Sequence, residues 1–258
     1  MKFRSILLAT VAVMGFAGVA NAAQVAALVG NDSIAVVDTD KKAVTKTMKV
    51  TGLSGALIGI DVRPADGMLY GVVDDGTVVT IAMDGKATKK SMLETPLAKG
   101  TVATVDFNPV ADRLRIMGAD GTSLRANVDD GKVIKDGSHK YAETDMHKGE
   151  KPNVIASAYT NSVKGTKETT LFNIDGTIGA LVKQAPPNDG VLNAVGKLGM
   201  KADTVAFDIW SDGTKNDAWL MTGGTLYSVD LASGKATEAA KITGVSGTVK
   251  DIAILPAM

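Results

Sequence analysis

Short stretches rich in Val, Ile, Leu and Thr alternate along the chain with clusters of Asp, Gly, Asn and Ser. Runs this short, broken by D-G, N-D, D-D-G and S-G, predict strands joined by tight turns, and no long helical period follows the first 22 residues. From Leu57 the order is LIGIDV, the turn RPADG, MLYGVV, DDG, TVVTIAM, DGK and ATKKSML. The same grammar returns as VATVDF, NPVAD, RLRIMG, ADG, TSLRANV, DDG and KVIKDG. A looser third copy runs VIASAY, TNSVKGTK, ETTLFNI, DGT, IGALVKQ, APPNDG and VLNAVGKLG, and a fourth runs DTVAFDI, WSDGTKN, DAWLMTG, TLYSVDL, ASGK and ATEAAKI.

A fifth copy exists only if the ends of the chain are joined. DIAILP at Asp251–Pro256 supplies its first strand, and QVAALVG, SIAVVDT and AVTKTMKV near the N-terminus supply the other three. The anchor position of the first strand falls at Asp61, Asp106, Ala158, Asp208 and Ala253, at intervals of 45, 52, 50 and 45 residues. Four-strand units at this period predict an all-β, five-bladed β-propeller of four-stranded blades. It is closed by pairing of the C-terminal strand with the N-terminal blade, because an open ring would leave sheet edges and apolar faces in water. Ile252, Ala253, Ile254 and Leu255 are therefore expected to be buried on both faces. Ser138–Asn153 lacks the strand pattern and is expected to be a charged loop between blades.

The first 22 residues follow a different rule. Lys2 and Arg4 precede an apolar run from Ile6 to Val19, and Ala20-Asn21-Ala22 fits the small-x-small cleavage rule. This predicts a signal peptide over residues 1–22, cut after Ala22, and one propeller domain over 23–258. The run of 14 residues is short of the roughly 20 that span a bilayer. Lys and Arg together number 28, as do Asp and Glu, and such a balance argues against nucleic acid or anionic lipid as the main partner. The chain has no Cys, so an apolar core rather than disulfides must hold an exported domain together. The periplasm or the medium is the expected compartment, and a monomer the expected state.

Two sets of residues carry a resemblance. SIAVVDTDKKAVTKTMKVTG looks like a blade of the surface-layer and periplasmic propellers whose repeat ends in V-x-D-T-x-x-x-K-V. The series IGIDVRPADGMLYG, VDFNPVADRLRI, LRANVDDG, YAETDMHKGEKPNVIASAYTNS and QAPPNDGVLNAVGKLG is similar to an exported bacterial family of unknown function, numbered 4394, from about Gly52 to Leu255. The resemblance implies the fold and the address and carries no activity.

Candidate chemistry is sparse. Gly59, Thr104 and Ala206 share a strand face with Asp61, Asp106 and Asp208, so each carboxylate is expected where blades pack closely. The three aspartates either cap the N–H groups of their own turns or converge near the axis to hold a hard cation such as Ca²⁺. Ala158 and Ala253 interrupt that ring. Arg113, Arg115 and Arg125 crowd the second blade, with Asp106 and Asp112 near in sequence. They form either an Asp–Arg network between strands or a fork for a carboxylate or phosphate. On the second alternative the ligand surface comprises Arg63, Asn108, Arg115, Arg125 and Asn127, with Asn161 and Asn188 contributed by the long loops TNSVKG and APPNDG.

His139 and His147 read as residues of a solvated loop, and the resembling family has no fixed histidines there. Trp210 and Trp219 are expected to pack the fourth blade. No Ser–His–Asp order, thiol nucleophile or dinucleotide fingerprint is present. The sequence thus predicts a ligand-binding or protein-interaction module of the cell envelope rather than an enzyme, its ligand a small molecule or a protein. The alternative is a calcium-assisted or acid-pair hydrolase on the same scaffold.

Overall fold

The computed structural model describes residues 24–256; the expected signal peptide and its cleavage point lie outside them. Blade one is Leu57–Val62, Leu69–Val73, Thr77–Ile81 and Ala87–Met92, hydrogen-bonded in that order. Blade two is Ala103–Asn108, Arg113–Gly118, Ser123–Ala126 and Val133–Lys135, and blade four is Ala206–Ser211, Asn216–Thr222, Thr225–Val229 and Ala236–Lys241. Blade three, Val154–Tyr159, Leu171–Asp175, Ala180–Gln184 and Val191–Lys197, gains an outermost fifth strand, Lys140–Tyr141, parallel to its neighbour. The charged segment expected to be a plain loop therefore covers the sheet edge of blade three. Tyr141 anchors it there, buried against blade three with its hydroxyl 2.7 Å from Asp175 Oδ2. A 3₁₀ turn at Pro187–Asp189 is the one helical element among the described residues.

Blade five closes the ring as expected. Its strands are Val249–Leu255, Gln24–Val29, Ser33–Asp38 and Ala43–Lys49, the C-terminal strand lying innermost. Gln24 pairs with Leu255, Val25 with Ile254, Ala26 with Ala253 and Ala27 with Ile252. Ile252 to Leu255 are all buried, as are Val25 to Leu28. Inner strands are enclosed by neighbouring blades and read as near-continuous apolar runs, whereas the outermost strands ATKKSM and ATEAAK are largely exposed. Lys, Thr and Glu on those outer strands leave an edge that resists pairing with another chain.

The recurrent Asp-Gly turns have one local cause. The carboxylate of Asp75, Asp84, Asp120 or Asp130 accepts the N–H two residues on, and the intervening glycine takes a positive φ. At Gly131 the glycine is also required by space, since a Cβ would collide with the carbonyl of Met92 in the preceding blade.

Candidate functional site

An innermost strand is a sheet edge that faces the axis, so half of its N–H groups have no strand to pair with. The anchor aspartates satisfy them, across the gap to the next blade. Asp61 Oδ2 accepts from Phe107 N at 2.7 Å, Asp106 Oδ1 from Tyr159 N at 3.1 Å, and Asp208 Oδ2 from Ile254 N at 2.7 Å. In each case the donor is the residue after the next anchor. Ala158 and Ala253 cannot reach their neighbours, and the two N–H groups they leave, Ile209 and Val62, are taken by the remaining oxygens of Asp208 and Asp61 at 2.6 Å. The expectation that these carboxylates cap their own turns is corrected: they are clamps between blades.

A second tier lies two residues earlier on the strands. Asp251 Oδ2 accepts from Ile60 N at 3.0 Å, and Thr104 Oγ1 from Ser157 N at 3.0 Å. A Cβ on Gly59 would stand 2.7 Å from Val105 and 2.9 Å from Asp251, which explains the small residue there. Asp251 is the hub residue that the repeat alignment missed. Its signal was the alternation that puts residues 251 and 253 on one strand face.

Asp61, Asp106 and Asp208 each bring a carboxylate oxygen to within 4.8 Å of the others, and all three are buried. Burial, followed by the charge of Asp208, raises the pKa of Asp61 well above the ordinary carboxylate range, and burial followed by Asp61 does so for Asp106. Burial lifts Asp208 to about 6 and also raises Asp251 strongly. Asp106 is 3% exposed, and its Oδ2 accepts from no donor among the described residues. Three such groups side by side require a proton or a cation between them.

The remaining predicted site residues do not form one surface. Arg63 is gripped by Asp112, with Nε–Oδ1 at 2.8 Å and Nη2–Oδ2 at 2.6 Å, and also bonds Asp129, Asp66 and the Tyr70 hydroxyl. Arg115, 1% exposed, donates to Tyr159 Oη, Ser123 Oγ, Asp136 Oδ2 and Asn188 Oδ1 at 2.7–2.9 Å. Arg125 forks onto the same Asp136 at 2.7 and 2.9 Å. The Asp–Arg network therefore exists, but its acid for Arg115 and Arg125 is Asp136 rather than Asp106 or Asp112.

Asn108 and Asn127 accept N–H bonds within their own turns, and Asn161 exchanges bonds with Asn216. The histidines lie apart in their contacts. His147, its side chain 15% exposed, meets Glu150 and packs on the Tyr141 ring, while His139 is half-buried with Nε2 3.2 Å from Met117 Sδ, so the solvated-loop expectation fails for both. Burial and the nearby Arg115 charge lower its pKa to about 4. Trp210 and Trp219 pack against the core shared by blades four and five.

At the N-terminal ends of the inner strands the axis widens into an open cavity of about 610 Å³. The same register position of every blade lines it: Ile58, Ala103, Ile155, Val205 and Lys250. None of the seven residues predicted to bind a ligand is among its lining. At the opposite end a smaller cavity of about 300 Å³ reaches Asp61 and Asp208 past Trp210 and Lys164.

The model of a domain of unknown function, DUF4394, matches residues 33–253. The chain belongs to this family. The DUF4394 match begins earlier than the motif series at Gly52 and takes in Ser33–Asp38 and Ala43–Lys49 of blade five. No curated protein matches the chain. A crystal structure of a protein of unknown function from Bacteroides thetaiotaomicron VPI-5482 is similar at 14% identity and TM-score 0.51, over 93% of this chain and 68% of that one. Another, from Bacteroides caccae, is 10% identical at TM-score 0.45, over 91% of this chain and 99% of that one. The first of these likenesses concerns the fold alone. Among the described residues no helix is long and apolar enough to cross a membrane.

Proposed function

We propose that this DUF4394 propeller is an exported, monomeric binding module of the cell envelope that takes its ligand in the wide axial mouth and carries one Ca²⁺ on Asp61, Asp106 and Asp208. The observation that carries the binding reading is the 610 Å³ cavity lined by one residue from the same register of all five blades. Cavities of about 300–1,000 Å³ suit small molecules, and a mouth shared by every blade has rigid walls. The leader read in residues 1–22 supports export.

Convergence of three buried carboxylate oxygens within 4.8 Å supports the cation, as does the open Oδ2 of Asp106. Calcium takes about 6–8 oxygen ligands, so water in the channel would complete the shell. The same clamps support binding over hydrolysis: Asp61 and Asp208 each spend both oxygens on backbone N–H groups. Calcium titration of chelator-stripped protein tests the cation by melting temperature. An upward shift that disappears in Asp106→Asn, which keeps the bond to Tyr159, is expected. No shift at millimolar calcium ends the metal reading. Intact mass of the protein from a periplasmic fraction tests cleavage after Ala22.

A further inference from the structure

The wide mouth has an asymmetry that bears on its ligand. Four of the five ring positions are apolar, Ile58, Ala103, Ile155 and Val205, and blade five replaces the fifth with Lys250. Ile58 and Ile155 are half-buried and Ala103 and Val205 are buried, while Val102 on the same wall is 65% exposed. The sole acceptor of the Lys250 ammonium among the described residues is Asn31 Oδ1 at 2.6 Å, another residue of the wall. An ammonium has three donors, and a neutral amide leaves its charge unpaired.

Two carboxylates stand in the same cavity. Asp74 spends one oxygen on Ala56 N at 3.1 Å, and Asp203 makes no hydrogen bond among the described residues. The mouth therefore offers an apolar floor, one free cation and free acid. A simple anion would meet repulsion from Asp74 and Asp203, and a simple cation would meet Lys250. No aromatic ring lines the cavity to stack on a sugar.

We infer that the mouth binds an apolar α-amino-acid zwitterion, free or as a short peptide, with Lys250 on the carboxylate, Asp203 on the ammonium and the side chain on Ile58, Ile155 and Val102. The inference rests on the binding reading proposed above and names the chemistry of its ligand.

Leucine, trileucine and N-acetyl-leucinamide titrated calorimetrically into the full mature chain form the test. Binding of leucine or trileucine at millimolar concentration or below is expected, and the stronger of the two identifies a free amino acid or a peptide as the source. The blocked compound, which has the side chain without the charges, should bind at least tenfold more weakly. Lys250→Gln and Asp203→Asn should each weaken the zwitterion by roughly tenfold without moving the melting temperature. Equal binding of the blocked compound, unchanged affinity in both variants, or no heat from either zwitterion overturns the inference. Amide shifts at the mouth from other small molecules, with the zwitterions silent, would overturn it while leaving the binding module in place. A mouth silent to an entire fragment set would overturn both.

Discussion

The seam between blades five and one is largely apolar, with Ala26, Leu28, Ile34 and Val36 meeting Leu57, Ile60, Val79 and Ile81 beside the Asp251 clamp on Ile60 N. The seam between blades two and three has a small apolar group around Met117, Tyr159, Leu171 and Val182, and is completed by Arg115, Asp136, Ser123, Asn188 and Tyr159 Oη. The first seats the closing blade against blade one mainly by a force without direction, roughly proportional to the apolar area removed from water. The second is built from bonds with fixed angles, and a buried charge must find every partner or cost several kcal/mol. Among the described residues it is not fully satisfied: Asn173, wholly buried in blade three, bonds Gln184 through Nδ2 and leaves Oδ1 without a partner there. One propeller thus uses two kinds of adhesive, and they should fail differently.

The largest effect should come from the closing strand. Removing residues 251–258 takes away the innermost strand of blade five and exposes both faces it covered. Insoluble or protease-sensitive protein is expected, and an unchanged melting curve would show that the ring does not depend on this pairing. Within the intact seam, Leu28→Ala should cost about 2–5 kcal/mol in denaturant unfolding, as buried leucines do. The polar seam should respond to Arg115→Met by about 3–5 kcal/mol, because Asn188 and Ser123 lose their donor and Asp136 keeps only Arg125. Adding Asp136→Asn should then cost less than it does in the wild type, since one of the two arginines it serves is already gone. A second substitution that adds to the first instead would show that the pair does not act as a unit.

The smallest effects separate hub and seam by pH. Asp208 has a folded pKa of about 6, above its ordinary value of 3.8. The folded state therefore holds a proton that the unfolded chain releases. That stability is complete below 3.8 and is lost as pH rises through about 6. His139 runs the other way: its folded pKa of about 4 lies below 6.5, so folding favours the neutral ring. Its contribution is present above 6.5 and is lost as pH falls toward 4. In chelator-stripped protein, Asp208→Asn should flatten the decline above pH 4, and His139→Gln should flatten the rise across the same interval. Identical pH profiles in both variants and the wild type would remove the distinction.

Much of this was legible before any coordinates. Alternation has a period of two residues and an Asp-Gly turn spans four, so strands and turns could be read locally. The period of the anchors then counted the blades and identified Asp251–Leu255 as the missing strand. The convergence of Asp61, Asp106 and Asp208 was legible as one of two alternatives, since equal register in successive blades points side chains to a common place. The fifth strand of blade three was not, because two residues carry no period. Lys250 was passed over because nothing in KDIAILP distinguishes a wall of the mouth from an exposed strand start.

By itself the sequence determined the unit, the number of units and the strand that completes the circle, all of which follow from short-range patterning. Tertiary structure alone decided the partners: Asp251 with Ile60 across 191 residues, Arg115 with Asn188 across 73, Arg63 with Asp112 across 49. A charged side chain will satisfy any suitable group that packing brings within reach. Which group that is depends on how neighbouring blades are rotated and spaced, a quantity set by the packing of whole seams and written in no single stretch of residues.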